Sequence, residues 1–169
     1  MSRMADEASF NEFVGARSQA LMRTAYLLTR DHQLAEDLLQ SALFKAARAW
    51  SRIEGEPEYY VRRILYNEST SWWRHRRRSV EVSATGHDHP VRVGVDVELH
   101  LALGSALDRL TAKQRAVLVL RYFEDLTEVE TARVLGVRVS TVKSTHRQAL
   151  GRLRSLAPDL GELMGVSHD

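Results

Sequence analysis

Residues 126–154, LTEVETARVLGVRVSTVKSTHRQALGRLR, constrain the fold more than any other part of the chain, because they meet each steric demand of a helix-turn-helix. Thr127 followed three residues later by Glu130 is a capping-box start, and Gly136 falls where a short first helix needs a left-handed turn residue. Ala132 is small enough for a second helix to cross closely, and Val142 supplies the apolar side chain that must face back to the first helix. From Ser140 or Thr141 onward, Val142, Ala149 and Leu153 recur at helical spacing and form an inward stripe. The opposite face carries Lys143, Ser144, Arg147 and Gln148, and Arg138, Ser140 and Thr141 stand at its start. Side chains of these types reach phosphates and base edges in a major groove. Residues 138–154 hold five Arg and Lys and no acid, the balance a surface pressed against polyphosphate requires, since each phosphate contact releases condensed counterions. The plainer alternative is a basic, solvated helix in an ordinary three-helix bundle. Against it stands the coincidence of cap, small residue, glycine and apolar valine in one register.

A chain of 169 residues, 44% of them hydrophobic, suffices for one medium domain or two small ones. The absence of cysteine excludes a disulfide framework, a thiolate zinc site and a cysteine nucleophile together. The first residues lack an apolar core flanked by positive charge, and no apolar run approaches the length of a membrane span, so a cytoplasmic protein without a membrane partner is expected. His87 and His89 flank Asp88, but two ligands from one loop with no distant third rarely hold a metal. With no phosphate-cradling glycine loop and no serine nucleophile motif either, the expectation is a protein that is not an enzyme and uses no metal or cofactor.

The net charge of +2 conceals segregation: residues 6–58 carry nine acids against six Arg and Lys, whereas residues 62–78 carry six arginines against Glu68. Along the chain, Phe10, Phe13, Val14, Leu21, Ala25 and Leu28 trace one face of a long first helix. Asp31 can cap a second, on which Leu34, Leu38, Leu39, Ala42, Leu43, Ala46, Ala47 and Trp50 keep the same period. Pro57 suits the first position of a third, running through Tyr60, Val61, Ile64, Leu65 and Trp72 into the arginine cluster. Periodicity then vanishes among Gly86, Pro90 and Gly94, and returns with a helix over 97–107 and another capped by Thr111 with Gln114. The reading is an all-α protein of two small helical domains, 1–79 and 97–169, joined by a flexible linker at 80–96, with the helix-turn-helix in the second.

Residues 62–78, RRILYNESTSWWRHRRR, interleave aromatic rings with cations. Trp72 and Trp73 can stack on unpaired bases while Arg62, Arg63, Arg74, Arg76, Arg77 and Arg78 hold the backbone, with Asn67 and Ser71 adding hydrogen-bonding groups. Either tryptophan taken alone could equally be a core residue, because aromatic stripes at helical spacing usually pack inward.

Three motifs in order, AEDLLQSAL at 35–43, YYVRRILYNESTSWWRHRRR at 59–78 and LTAKQRAVLVLRYFEDLTEVETARVLGVRVSTVKS at 110–144, carry a resemblance to the extracytoplasmic-function sigma factors of bacterial RNA polymerase. FNEFVGARSQALMRTAYLLTRD at 10–31 is similar to the actinobacterial branch called SigE-like. The resemblance implies partners: core RNA polymerase, held at the clamp of its largest subunit and the flap of its second largest, and promoter DNA, and it leaves room for an anti-sigma factor. It implies that Glu36, Asp37 and Gln40 dock on the clamp, with Ser41 departing from the acid usual there. It further implies that residues 62–78 read and melt the minus-ten element and that the helix-turn-helix reads the minus-thirty-five element. Thr131 departs from the apolar residue usual before Ala132, which would loosen the short helix. Two other readings compete: a stand-alone helix-turn-helix regulator binding duplex operator DNA, and an interaction protein whose basic segments engage an acidic partner or membrane surface. The interleaved tryptophans and arginines favour strand opening over both.

Overall fold

The computed structural model describes residues 3–78 and 97–158, leaving aside the side chains of 3, 73–78 and 97–102. Every element among the described residues is helical. Backbone contacts divide the chain into two units, 1–78 and 79–169. The expected linker, with His87, Asp88 and His89, lies outside the described residues.

The first unit is a bundle of three helices, α1 (Arg3–Thr29), α2 (His32–Ala49) and α3 (Pro57–Arg78). Leu21, Ala25 and Leu28 of α1 are buried, while Phe10 and Phe13 stay half-buried because they close on the Trp50 ring, at centroid distances of 5.1 and 5.2 Å. The turn into α2 puts Arg30 in the left-handed region at φ 59°, and the Arg30 N–H donates to the Tyr26 carbonyl at 2.7 Å. Asp31 caps α2 as its sequence position suggests, accepting from the Leu34 N–H at 2.9 Å. Ala35, Leu38, Leu39, Ala42 and Ala46 form the buried stripe of α2, and Ala47, expected inward, is exposed. Eight apolar positions are more than one helical face can bury, so the stripe closes without it.

A 3-10 turn, Trp50–Arg52, and Gly55 at φ 85° lead to Pro57, the first residue of α3. Val61, Leu65, Tyr66 and Ser69 line the inner side of α3. Charges brace the outside of the bundle: Glu58 of α3 accepts from Arg17 of α1 and from Arg62 at 2.7 Å, and Lys45 of α2 pairs with Glu68.

The second unit holds α4 (Val97–Asp108), α5 (Ala112–Leu118), a π-helical turn (Val119–Phe123), α6 (Glu128–Leu135) and α7 (Val139–Leu156). Thr111 and Gln114 form a capping box, each backbone N–H donating to the other's side chain at 3.1 Å. Arg115 is 1% exposed, and its guanidinium donates to the Leu107 carbonyl at 2.9 Å and to Asp108 and Leu110 nearby. A buried cation is tolerable there because carbonyls at and just beyond the end of α4 satisfy its N–H groups and it faces the negative end of that helix's dipole. The centre of the unit is Val117 of α5 packed on Ala132 of α6 and Val142 of α7, with Leu135 and Val139 against them.

Candidate nucleic-acid interface

The helix-turn-helix is built by its caps. Thr127 Oγ1 accepts from the Glu130 N–H at 3.2 Å, and the Glu130 carboxylate accepts from the Thr127 N–H at 2.7 Å and its hydroxyl at 2.8 Å. Those bonds, the backbone one first, hold the Glu130 carboxyl below its ordinary value. At the other end Gly136 takes φ 65°, ψ 34°, letting its N–H reach the Arg133 carbonyl at 3.4 Å and the Val137 N–H reach Ala132 at 3.0 Å. This double bond pattern stops α6 and redirects the chain into α7. Ala132 and Val142 sit 5% and 0% exposed where the two helices cross, and Thr131 beside them is fully buried.

Val142, Ala149 and Leu153 are the buried residues of α7. At about 100° per residue, Ser140, Thr141, Lys143, Ser144, Arg147 and Gln148 span an arc of about 160° facing away from that stripe. All six are exposed, as is Arg138 at the position before the first helical residue. The surface is thus one continuous helical face bearing cations and hydrogen-bonding groups over a packed support, the arrangement an α-helix needs to enter a major groove.

Two contacts at its edge were not legible in the sequence, because they join α7 to residues distant along the chain. Lys143 Nζ lies 3.8 Å from Glu128 Oε2 of α6, and His146 Nε2 lies 2.9 Å from the Tyr122 hydroxyl. Burial, with the Arg121 guanidinium adding to it and Glu128 opposing, pushes the His146 imidazole below its ordinary value.

On α3, Arg63, Asn67 and Ser71 are exposed. Arg62 is engaged by Glu58, so at least part of its role is to brace the bundle. Trp72 is half-buried and lines a groove of about 250 Å³ with Leu34, Asp37, Leu38 and Ser41 of α2. For Trp73, Arg74, Arg76, Arg77 and Arg78 the description covers the helical backbone alone.

On α2, Glu36, Asp37 and Gln40 are exposed together. The sequence reading passed over Phe44, which follows Gln40 by one turn and is 64% exposed, with the Arg48 guanidinium 5.9 Å from its ring centroid. Its signal was available: Phe44 falls outside the period of the buried stripe, so a large apolar ring there must face solvent or a partner. Among the described residues no group of three His, Asp or Glu could hold a metal ion, and no helix is long and apolar enough to cross a membrane.

Comparison with known proteins covers both units. The family model described as Sigma-70 region 2 matches residues 13–79, and that described as Sigma-70, region 4 matches residues 100–153. The RNA polymerase sigma-E factor of Streptomyces coelicolor is 38% identical over 154 residues, covering 89% of this chain and 87% of that protein. The ECF RNA polymerase sigma factor SigM of Mycobacterium tuberculosis is 32% identical over 155 residues, 89% of this chain and 78% of that one. Among solved structures, the sigma factor RpoE of Bartonella quintana, in complex with the anti-sigma factor NepR, superposes with a TM-score of 0.74 at 28% identity, covering 89% of this chain and 98% of that one.

Proposed function

We infer the working roles of the two domains from one premise: this chain belongs to the sigma-70 family, in its extracytoplasmic-function group. It is an RNA polymerase sigma factor, which binds core polymerase and directs promoter recognition and opening. The division 1–79, 80–96 and 97–169 then reads as docking and minus-ten domain, tether, and minus-thirty-five domain. In the last, Arg138, Ser140, Thr141, Lys143, Ser144, Arg147 and Gln148 meet the groove. The observation that carries this reading is the exposure of the last six on one arc of α7, opposite buried Val142, Ala149 and Leu153, with Arg138 exposed just before the helix.

In the first domain, Arg63, Asn67, Ser71, Trp72, Trp73, Arg74 and the arginines that follow take the minus-ten strand, with Arg62 supporting from its pair with Glu58. Unpaired bases captured outside the stack drive opening, at about 1–3 kcal/mol per stacked base. Polymerase docks on α2: Glu36, Asp37 and Gln40 supply charge and hydrogen bonds to the clamp of the largest subunit, and Phe44 supplies an apolar anchor. The second domain rests on the flap of the second-largest subunit. The chain itself makes no bonds and works in the cytosol beside the polymerase. An anti-sigma partner would cover the α2 face around Asp37 or clamp the two domains, and affinity capture from resting cells that recovers none would count against it.

Permanganate reactivity of promoter thymines tests the opening role. With core polymerase present, thymines near the start site become reactive, and Asp37→Ala with Phe44→Ala reduces the signal at limiting protein. Reactivity that needs no polymerase, or that never appears, contradicts the proposal.

A further inference from the structure

The groove-facing stretch of α7 carries no carboxylate of its own, yet one reaches it from α6. Glu128 stands in the first turn of α6 with Oε2 3.8 Å from the Lys143 ammonium, their side chains 33% and 59% exposed. Capping of α6 does not depend on it, because the box is closed by Thr127 and Glu130. An ion pair this open contributes little to folding. Its consequence arises instead when Lys143 meets DNA.

A phosphate drawn to Lys143 comes well within the Debye length of the Glu128 carboxylate, about 8 Å at physiological salt, and is repelled by it. Freeing the ammonium also forfeits the pair. Losing the pair costs the same on every duplex, but the repulsion acts only where Lys143 must take a phosphate. A duplex that offers Lys143 neutral acceptors on a base edge, such as guanine O6 and N7, escapes the repulsion, and one that offers only phosphates does not.

We propose that Glu128 is a specificity-determining residue: by restraining Lys143 and repelling phosphate, it lowers affinity for duplexes that lack the correct base contact. The inference rests on the reading of α7 as the promoter reader.

The test measures holoenzyme affinity for a promoter mapped from its own start sites and for the same duplex with the upstream element scrambled. Glu128→Gln raises affinity for the scrambled duplex about threefold or more and for the intact promoter by less, so the ratio between them falls. On the scrambled duplex the slope of log affinity against log salt steepens by about one, because Lys143 becomes available to a phosphate. In a Lys143→Ala background, Glu128→Gln changes neither affinity. An unchanged ratio, equal losses on both duplexes, or a full effect without Lys143 overturns the proposal. Wild-type holoenzyme with no preference for the intact element would instead sink the promoter-reading role of α7, so the two failures are separable.

Discussion

At the scale of single residues, burial and polarity conflict at Thr131, which is 0% exposed while its hydroxyl finds no hydrogen-bond partner. An unsatisfied buried hydroxyl costs about 1–3 kcal/mol, and valine has the same shape without it. Thr131→Val is therefore expected to stabilise the second domain by about 1 kcal/mol, read as a higher urea midpoint; a lower midpoint would contradict the packing described. His146 gives a pH dependence through its setting among Tyr122, Arg121 and Glu128. Its folded-state value lies below 6.5, so the unfolded chain takes up the proton first and stability falls as pH drops through about 6.5, levelling off below the folded value. The Glu130 carboxylate adds a further loss below 4.5. Melting temperatures between pH 7.5 and 5.5 should decline for the native chain and flatten for His146→Gln; parallel profiles would remove His146 as the cause. Residues of this kind are poorly legible in a sequence. Arg115 reads as a surface cation, because nothing local shows that the carbonyls ending α4 converge on it.

At the scale of the element, α6, its turn and α7 were legible almost whole, because every signal there is short-range. Thr127 with Glu130, Gly136, and the spacing of Ala132 and Val142 act within one or two helical turns. Gly136 tests the turn. A Cβ placed on it meets nothing within 4 Å, so Gly136→Ala pays only for the left-handed backbone, about 1–2 kcal/mol. Thermal melting should show that loss, and a neutral result would mean the turn relaxes. On the outer face of α7, Arg147→Ala is expected to weaken promoter binding by about 1–3 kcal/mol where the guanidinium makes a bidentate base contact. Unchanged promoter occupancy would take Arg147 out of the reading set. The α2 surface was legible only in part, since a period count puts Phe44 off the buried stripe, but how far its ring is exposed depends on how three helices close. It also left open which tryptophan turns inward, and Trp72 proves to line the α2 groove.

For the whole molecule, the governing feature is that two small domains, each with its own basic stretch, share one chain. Residues 6–58 carry nine acids against six Arg and Lys, residues 62–78 carry six arginines, and residues 138–154 carry five Arg and Lys with no acid. On the proposed reading, each basic surface alone would bind DNA weakly and in a salt-dependent way. Held together on polymerase, the second contact becomes intramolecular, so recognition depends on both elements being present at a spacing the tether can span. A stand-alone operator binder would need neither polymerase nor the aromatic segment. The direct test is run-off transcription on a library of genomic fragments with purified core polymerase from a related bacterium, with and without this chain. Transcripts that start at defined sites only in its presence, sharing two upstream elements at fixed spacing, are the predicted result. No chain-dependent start sites, with tight binding of the chain alone to particular duplexes, would contradict the account.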